Sequence, residues 1–290
     1  MKHYLVALVI LLTGCAPGKY SLKWDNDILG GLGSDHNYTN GVNVTRRGTN
    51  STGSYDAYVG HLIFTPRNKQ AVTYQPDQRP YAGYLYTGFV QHYVRSPNIQ
   101  DSLGLSAGLV GPHAFGEQVQ NTVHRWINNK TAKGWDNQLK DEPALVVSAE
   151  RSYWMPINRH VDITSTAGVN LGNVFTQGFS SVSGRIGHNL DTPFGSGGPI
   201  FPRVTTPKPS VYVLATLLGR AVARNIFLDG NTFRDGPSID REVFVGEARL
   251  GFMGTYKKYK VGFVRMFQTK EHDGETRGAR FGEIILGWEW

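Results

Sequence analysis

The chain has 290 residues, enough for one large all-β domain or two ordinary domains. It is rich in glycine (35 residues) and has no apolar run of the ~18 residues that a membrane-spanning helix needs, which excludes a helical membrane protein. The formal net charge of +7 comes from scattered rather than clustered basic residues, so polyanionic lipid headgroups are at least as good a partner as nucleic acid, and we expect no nucleic-acid binding.

The first 14 residues are predicted to be a signal peptide. A short polar start precedes an apolar stretch, Tyr4 to Leu12, that is too short to span a bilayer. The segment ends in a sequence similar to a bacterial lipobox, in which Cys15 is the sole cysteine of the chain. We therefore predict cleavage before Cys15 and its lipid modification, with an ordinary signal peptide as the alternative. Residues 15–290 then form a single exported domain.

The mature chain is predicted to form an all-β, twelve-stranded antiparallel outer-membrane β-barrel with a short helix on an extracellular loop. The predicted strands are Ser21–Asp27, Tyr38–Arg47, Tyr55–Phe64, Tyr81–Arg95, Asp101–Gly111, Ala144–Met155, His160–Gly172, Gln177–His188, Ser210–Leu228, Glu242–Tyr256, Tyr259–Lys270 and Ala279–Trp290. Many alternate apolar residues with small or polar ones, and short turns alternate with long loops, as in outer-membrane barrels. A soluble secreted barrel or sandwich is the alternative.

The loops divide by parity between the two ends of such a barrel. With the amino terminus inside, the outer side receives the loops Ile28–Asn37 and Thr65–Pro80 and the stretch after the fifth strand. One connection conflicts with this pattern, because Asn189–Pro209 is long yet falls on the inner side. Either it is a long periplasmic connection or the strand count slips there.

The stretch Gly116–Pro143 is predicted to begin with an amphipathic helix. Polar residues at helical spacing share one face, namely Glu117, Gln120, Asn121 and His124. Apolar residues fall on the opposite face, which can pack down, namely Val119, Val123, Trp126 and Ile127. His124 is the best candidate for a general base, and Gln120 and Glu117 are placed to orient it. The alternative is a plain amphipathic cap over the barrel mouth.

The first outer hairpin combines carboxylate, carboxamide and hydroxyl oxygens. Asn26 and Asp27 end the first strand, and Asp35 and Thr39 flank the start of the second. Oxygen donors of this kind suit calcium, although Asp, Asn and Gly are also common wherever strands reverse. The next outer loop carries Arg67, Lys69 and Arg79, which are either phosphate ligands or a solvated basic loop.

Common hydrolase motifs do not occur in the context that their chemistry needs. No GxSxG motif lies at a predicted strand-to-helix elbow, since the match at Gly104–Gly108 falls inside the predicted strand Asp101–Gly111, which favours water over a serine as the nucleophile. No HExxH or CxxC motif occurs, which argues against a zinc hydrolase.

These loops resemble those of the outer-membrane lipid A 3′-O-deacylase (LpxR) family. The matching motifs are Asn26-Asp27, Asp35-x-x-Tyr38-Thr39-Asn40-Gly41, Arg79-Pro80-Tyr81-Ala82-Gly83, Gly116-Glu117-x-Val119-Gln120-Asn121-x-x-His124-Arg125 and Gly134-Trp135-Asp136-Asn137-Gln138-Leu139. The resemblance implies a calcium-dependent twelve-stranded barrel with its active site between the outer barrel wall and a loop helix. It also implies removal of the 3′-linked acyloxyacyl group of lipid A in the outer leaflet.

The resemblance also assigns roles to residues. It makes His124 the base and gives catalytic-site roles to Asn26, Asp27 and Thr39. It also gives a role to a basic residue of the second loop, which is Lys69 here, with Arg67 as the rival. We further expect calcium to bind near Asn26, Asp27 and Asp35, and Lys69, Arg67 and Gln120 to bind substrate. The lipobox departs from the family, whose members usually carry a plain signal peptide. A phospholipase or other lipid esterase on the same barrel, and a non-enzymatic porin-like barrel, remain as alternatives.

Overall fold

The computed structural model describes residues 18–30, 37–190 and 208–290, which form one closed antiparallel barrel of twelve strands. The strands are β1 (Lys19–Asn26), β2 (Asn37–Asn50), β3 (Gly53–Thr65), β4 (Ala82–Ser96), β5 (Ile99–Val110), β6 (Glu142–Asn158), β7 (Val161–Gly172), β8 (Phe175–His188), β9 (Ser210–Asn225), β10 (Phe244–Tyr256), β11 (Tyr259–Gln268) and β12 (Arg280–Glu289). All twelve predicted strands are confirmed, with bounds that agree to within three residues. The predicted signal peptide, Cys15 and Asp35 lie outside the described residues.

Two helices interrupt the strands: α1 (Gly116–Trp126) after β5 and the four-residue α2 (Ile226–Asp229) after β9. The prediction that β9 continues to Leu228 is wrong, because the side chain of Asn225 caps α2 by accepting a hydrogen bond from the backbone N–H of Phe227 at 3.1 Å. Among the described residues, no helix has the length and apolar character needed to cross a membrane.

Side chains alternate between the barrel's two faces. In β9, Tyr212 and Leu214 are buried in the interior, while Val213 and Leu217 are 59% and 69% exposed on the outside. Val211 continues the outer row, opposite Gly254 of β10. A surface of exposed aliphatic side chains suits acyl chains rather than water, so the soluble alternative does not fit.

The two ends of the barrel differ. The first and last described residues meet at one of them, where the N–H of Trp290 donates to the carbonyl of Gly18 at 3.0 Å. Because the barrel has the predicted twelve strands, the connection from β8 to β9 lies at this same end. Asn189–Pro209 is therefore a long connection, and the strand count does not slip there. Residues 191–207 of this connection lie outside the described residues. The opposite end carries α1 and the loops after β1 and β3.

Aromatic side chains fill the lumen near that opposite end. The ring of Phe227, in α2, stacks on Phe64 of β3 at a centroid distance of 4.1 Å. It also lies 5.8 Å from Tyr84 of β4 and 5.6 Å from Phe175 of β8. Since β3 and β4 stand across the ring of twelve strands from β8, these contacts bridge the lumen. The barrel is therefore plugged, which disfavours a porin.

Helix α1 lies on the outer wall of the barrel rather than over its mouth. On β3, Leu62 and Phe64 face the lumen, whereas the alternating residues His61 and Ile63 point outward and are nevertheless buried. His61 bonds to the carbonyl of Ala114, just before α1, at 2.7 Å. The alternative of a cap over the mouth is thus replaced by a cover on the side of the barrel.

Glycine permits this close approach of helix and wall. A Cβ at Gly83, on β4, would lie 2.9 Å from the backbone nitrogen of Gly116. A Cβ at Gly116 would in turn lie 2.8 Å from the ring of Trp135. Larger residues at either position would push the first turn of α1 away from the wall.

Candidate active site

Helix α1 turns its polar face inward and its apolar face outward. Gln120 and His124 are buried, at 3% and 7% exposure, whereas Trp126 is 70% exposed and Ile127 54%. The prediction that the apolar face packs down is wrong for every member except Val119, which packs against a buried cluster of Ile63, Tyr81, Ala132 and Trp135. This cluster supplies the apolar packing, and the polar residues find hydrogen-bond partners beneath the helix.

His124 is oriented by a backbone carbonyl. Its Nδ1 lies 2.7 Å from the carbonyl oxygen of Lys130, in the segment that folds back along α1. A carbonyl only accepts, so Nδ1 carries the proton and a neutral ring presents the lone pair of Nε2. This is the tautomer that a general base needs. The sequence predicted that Gln120 and Glu117 would orient His124. In the structure, the hydrogen-bond partner of Nδ1 is instead the carbonyl of Lys130 in the returning segment.

Asn121 holds that returning segment in place. Its Oδ1 accepts from the N–H of Ala132 at 2.9 Å, and its Nδ2 donates to the carbonyl of Ala132 at 3.3 Å. The side chain thus binds both polar groups of one residue, two positions after Lys130. Gln70 adds a bond from its Nε2 to the carbonyl of Thr131 at 2.9 Å. Asn121 therefore positions the carbonyl that orients His124.

Gln120 presents a buried donor on the same face. Its Oε1 accepts from the indole Nε1 of Trp135 at 3.1 Å, which fixes the orientation of the amide because an indole only donates. Its Nε2 has no hydrogen-bond partner within residues 18–30, 37–190 and 208–290. A buried N–H group without a partner is unfavourable, so this amide is suited to donate to an oxygen atom of a substrate.

Oxygen-bearing side chains line the wall opposite α1. Asn26 is paired with Asn40 across β1 and β2, and its Nδ2 donates to Oδ1 of Asn40 at 3.2 Å. Asp27 follows Asn26 and is buried, at 1% exposure. Thr39, next to Asn40, lies 2.7 Å from Thr65 through their hydroxyl oxygens. Thr65 ends β3, on which α1 lies, so the contact between Thr39 and Thr65 joins the hairpin to the wall beneath the helix, and we infer that the hairpin and the helix flank one cleft.

The second outer loop runs beside the returning segment. The carbonyl of Lys69 accepts from the N–H of Lys133 at 2.9 Å, so Lys69 lies beside the segment that orients His124. Arg67 is exposed and donates to Thr276 of the loop after β11 at 3.2 Å. Of the two predicted basic residues, Lys69 therefore contacts the segment that orients His124, whereas Arg67 contacts the loop after β11.

Arg79 has a structural role and is not a phosphate ligand. It is 1% exposed, bonds Glu271 at 2.5 Å and lies over the ring of Phe64 at 5.1 Å. This ion pair ties the second loop to the loop after β11. In the same loop, burial raises the pKa of Glu275 from its usual 4.5 to about 7. The charge of Arg79 and the hydrogen bond from the backbone N–H of Glu271 oppose that rise in the pKa, whereas the negative charge of Glu271 adds to it.

The cleft offers donors of the type that calcium prefers. In the described part of the chain, no group of three or more His, Cys, Asp and Glu side chains is arranged to hold a metal. Calcium, however, also accepts carboxamide, hydroxyl and backbone oxygens, and the first outer hairpin carries the buried carboxylate of Asp27 together with the carboxamide of Asn26 and the hydroxyl of Thr39. The donor chemistry therefore fits a hard cation, and Asp35 lies outside the described residues.

Several contributors could not be assigned from the sequence. Asn40 and Trp135 belong to the quoted motifs but carried no predicted role. Thr65 was predicted only as part of a loop. Lys130 acts through its backbone carbonyl, for which a sequence gives no signal.

Comparison with known proteins agrees with this architecture. A family model described as "Outer membrane protein LpxR" matches residues 5–290. The solved structure "LpxR from Salmonella typhimurium" is similar, with 19% identity, a TM-score of 0.82 and coverage of 94% of this chain and 100% of that one, which shows the fold alone.

Two other barrels are less similar. The β domain of the Bordetella autotransporter BrkA has 12% identity and a TM-score of 0.49, with 95% of this chain and 99% of that chain covered. The KdgM porin has 5% identity and a TM-score of 0.44, with coverage of 94% and 99%. No curated protein sequence matches the chain.

Proposed function

Because the chain belongs to the family of outer membrane protein LpxR, we propose that it is an outer-membrane lipid A deacylase that hydrolyses the 3′-linked acyloxyacyl ester. The observation that carries this proposal is the buried His124, held by the carbonyl of Lys130 so that Nε2 is available as a base in a cleft on the barrel's outer wall. The cleft faces the cell exterior in this proposal, and the substrate is lipid A in the outer leaflet.

The reaction is a hydrolysis with water as the nucleophile. Nε2 of His124 takes a proton from water as its oxygen attacks the ester carbonyl. Collapse of the tetrahedral intermediate breaks the bond to the sugar oxygen, which receives the proton back from His124. The products are the acyloxyacyl acid and a free 3′-hydroxyl group. Nδ1 stays bonded to Lys130 throughout, so the ring keeps its orientation in both protonation states.

Gln120 contributes a donor to the developing charge. Its Nε2 is buried and oriented by the bond from Trp135 to Oε1. A fixed donor aimed at the carbonyl oxygen of the ester stabilises the intermediate more than the substrate, because the charge on that oxygen grows. Gln120 therefore acts on the substrate rather than on His124.

Calcium is proposed as the cofactor. Asn26, Asp27 and Asp35 would hold the ion, with Thr39 beside them. When bound, calcium would supply Lewis-acid stabilisation of negative charge on the ester oxygen. Lys69, and more peripherally Arg67, would bind a glucosamine phosphate through charge-assisted hydrogen bonds.

A phospholipase or another lipid esterase is the competing function for the same cleft, since the same base and donors would cleave any suitably placed ester. The porin-like alternative is disfavoured by the aromatic contacts of Phe227 across the lumen.

Mass spectrometry of lipid A after incubation with the purified protein tests the proposal. We expect loss of one acyloxyacyl group, no loss with His124→Ala, and blockage by a calcium chelator that added Ca²⁺ reverses. His113→Ala is the matched control, because His113 lies on the same loop but is exposed and paired with Asp141 at 2.6 Å. Intact lipid A with cleaved phospholipid would assign the phospholipase function. Equal activity of His124→Ala and wild type would refute the mechanism.

A further inference from the structure

The outward face of α1 exposes a compact set of large apolar side chains. Phe115, Val123, Trp126 and Ile127 have exposures of 45%, 41%, 70% and 54%. Three of them follow one another at helical spacing, and Phe115 precedes the first turn. Phe115 adopts a left-handed backbone conformation, with φ of 62°, that is unusual for a bulky residue. Clusters of this kind mark a surface that meets another apolar phase.

This face continues the outer apolar surface of the barrel. Along β5, Leu103 and Leu105 are each 53% exposed, and their row leads towards Gly111 and the turn before Phe115. The neighbouring strand β6 adds Leu145 and Val147, at 53% and 50% exposure, opposite Ala107 and Leu105. The exposed aliphatic row of β5 therefore leads into the turn before α1, and α1 itself lies on the neighbouring strands β3 and β4.

Basic residues are close in sequence to this face. Arg125 lies next to Trp126 in the helix, and Lys130 and Lys133 follow in the returning segment, all three exposed. A helix with an apolar face bordered by cations is typical of helices that lie in a membrane interface, where the apolar side chains enter the acyl layer and the cations meet anionic headgroups.

We propose that α1 is an interfacial helix whose outward face, Phe115, Val123, Trp126 and Ile127, inserts into the acyl chains of the leaflet around the barrel. The acyl chains then contact the outward face of α1, while the polar face of α1 covers the cleft on the side of the barrel. The cleft opens sideways into the leaflet, and a substrate enters with its acyl chains still in lipid. This use of the surface rests on the proposed function, but the insertion itself does not.

Site-directed spin labelling tests the insertion without any activity measurement. The full mature chain carries Cys15→Ser, so that no other cysteine remains, and a nitroxide is attached at either Trp126→Cys or Arg125→Cys. Both proteins are reconstituted in vesicles of phosphatidylcholine with phosphatidylglycerol. Accessibility to oxygen, which concentrates in the acyl layer, is compared with accessibility to a water-soluble nickel chelate. The two positions are adjacent on α1, so their difference reports the orientation of the helix relative to the membrane.

We expect the label at 126 to be more accessible to oxygen than to nickel, and the label at 125 to show the reverse. Equal accessibility of both labels to nickel would place α1 in water and overturn the proposal. Spin–spin broadening at 126 that disappears on dilution with unlabelled protein would assign the face to a second copy of the chain, and would also overturn it.

A functional arm separates insertion from catalysis. Trp126→Glu with Ile127→Glu should lower turnover of lipid A in vesicles by about tenfold or more, because charged residues leave the acyl layer. The same variant should cleave a detergent-dispersed substrate like wild type, since His124 is untouched. Equal losses in both assays would show a folding defect instead and count against the proposal. Loss of all cleavage with the expected spin-label result would refute the proposed function alone.

Discussion

Replacing Asn121 by alanine removes the only side chain described here that binds both polar groups of Ala132. His124 itself is unchanged in this variant. Its orientation, however, depends on the carbonyl of Lys130, two residues before Ala132. We expect the returning segment to leave its position more often, so that Nδ1 loses its acceptor and the ring turns away from the reacting water.

The size of the effect follows from the two lost hydrogen bonds. Neutral hydrogen bonds contribute ~1 kcal/mol each, and the buried N–H of Ala132 left without a partner adds a penalty of ~1–3 kcal/mol. Together these contributions weaken the position of the returning segment by roughly 3–5 kcal/mol, which corresponds to an upper limit of roughly 140- to 4,000-fold on the loss of correctly positioned His124. The loss should appear in kcat, because Asn121 binds no part of the substrate.

Steady-state hydrolysis of lipid A in detergent, followed by mass spectrometry, measures kcat and KM separately. Asn121→Asp retains the acceptor for the N–H of Ala132 at 2.9 Å and should fall between wild type and Asn121→Ala. Gln70→Ala is the control, because its bond to the adjacent Thr131 is exposed and should contribute little. A kcat for Asn121→Ala within twofold of wild type, or a change confined to KM, would refute the positioning role.

Three further outcomes are expected. Gln120→Leu should lower kcat about 10²- to 10³-fold, with the protein still folded by circular dichroism, because the fixed donor to the ester oxygen is lost. Because burial raises the pKa of Glu275 from 4.5 to about 7 in the folded state, the stability of its loop should fall as the pH rises from 4.5 to 7 and should level off above pH 7. Hydrogen exchange of residues 269–279 should show this pH dependence for wild type but not for Glu275→Gln. Phe227→Ala should destabilise the barrel by ~3–5 kcal/mol in urea unfolding, whereas Phe233→Ala, at a side chain 71% exposed, should have little effect.

The barrel could be predicted closely because its signal is repeated in every strand. Alternation such as that of Tyr212, Val213 and Leu214 fixes both the strand and the face that each residue occupies. The end of β9 was missed because a four-residue helix carries too little periodicity to be distinguished from a strand. The hydrogen bond by which Asn225 caps α2 can be identified only in the three-dimensional structure.

The candidate site was predicted at the level of residue types but not of contacts. His124 and Gln120 were assigned from their helical spacing, and the structure places both on one buried face. The orientation of α1 was predicted wrongly because amphipathicity identifies two faces without saying which one meets the protein. Where the outer surface of a barrel faces lipid, the usual rule that apolar faces turn inward no longer holds. Arg79 shows the same limit, since its ion pair with Glu271 joins loops 192 positions apart in sequence.

The rings of Phe64 and Tyr84 both contact Phe227 inside the barrel and obstruct its lumen at that level. A membrane that holds many copies of this protein should therefore keep its permeability barrier. Cells could raise the amount of protein strongly without becoming more sensitive to dyes, bile salts or hydrophilic antibiotics. Natural selection on the lumen-facing residues would then act on their packing alone, so that substitutions on the outer face of the barrel could alter catalytic chemistry independently.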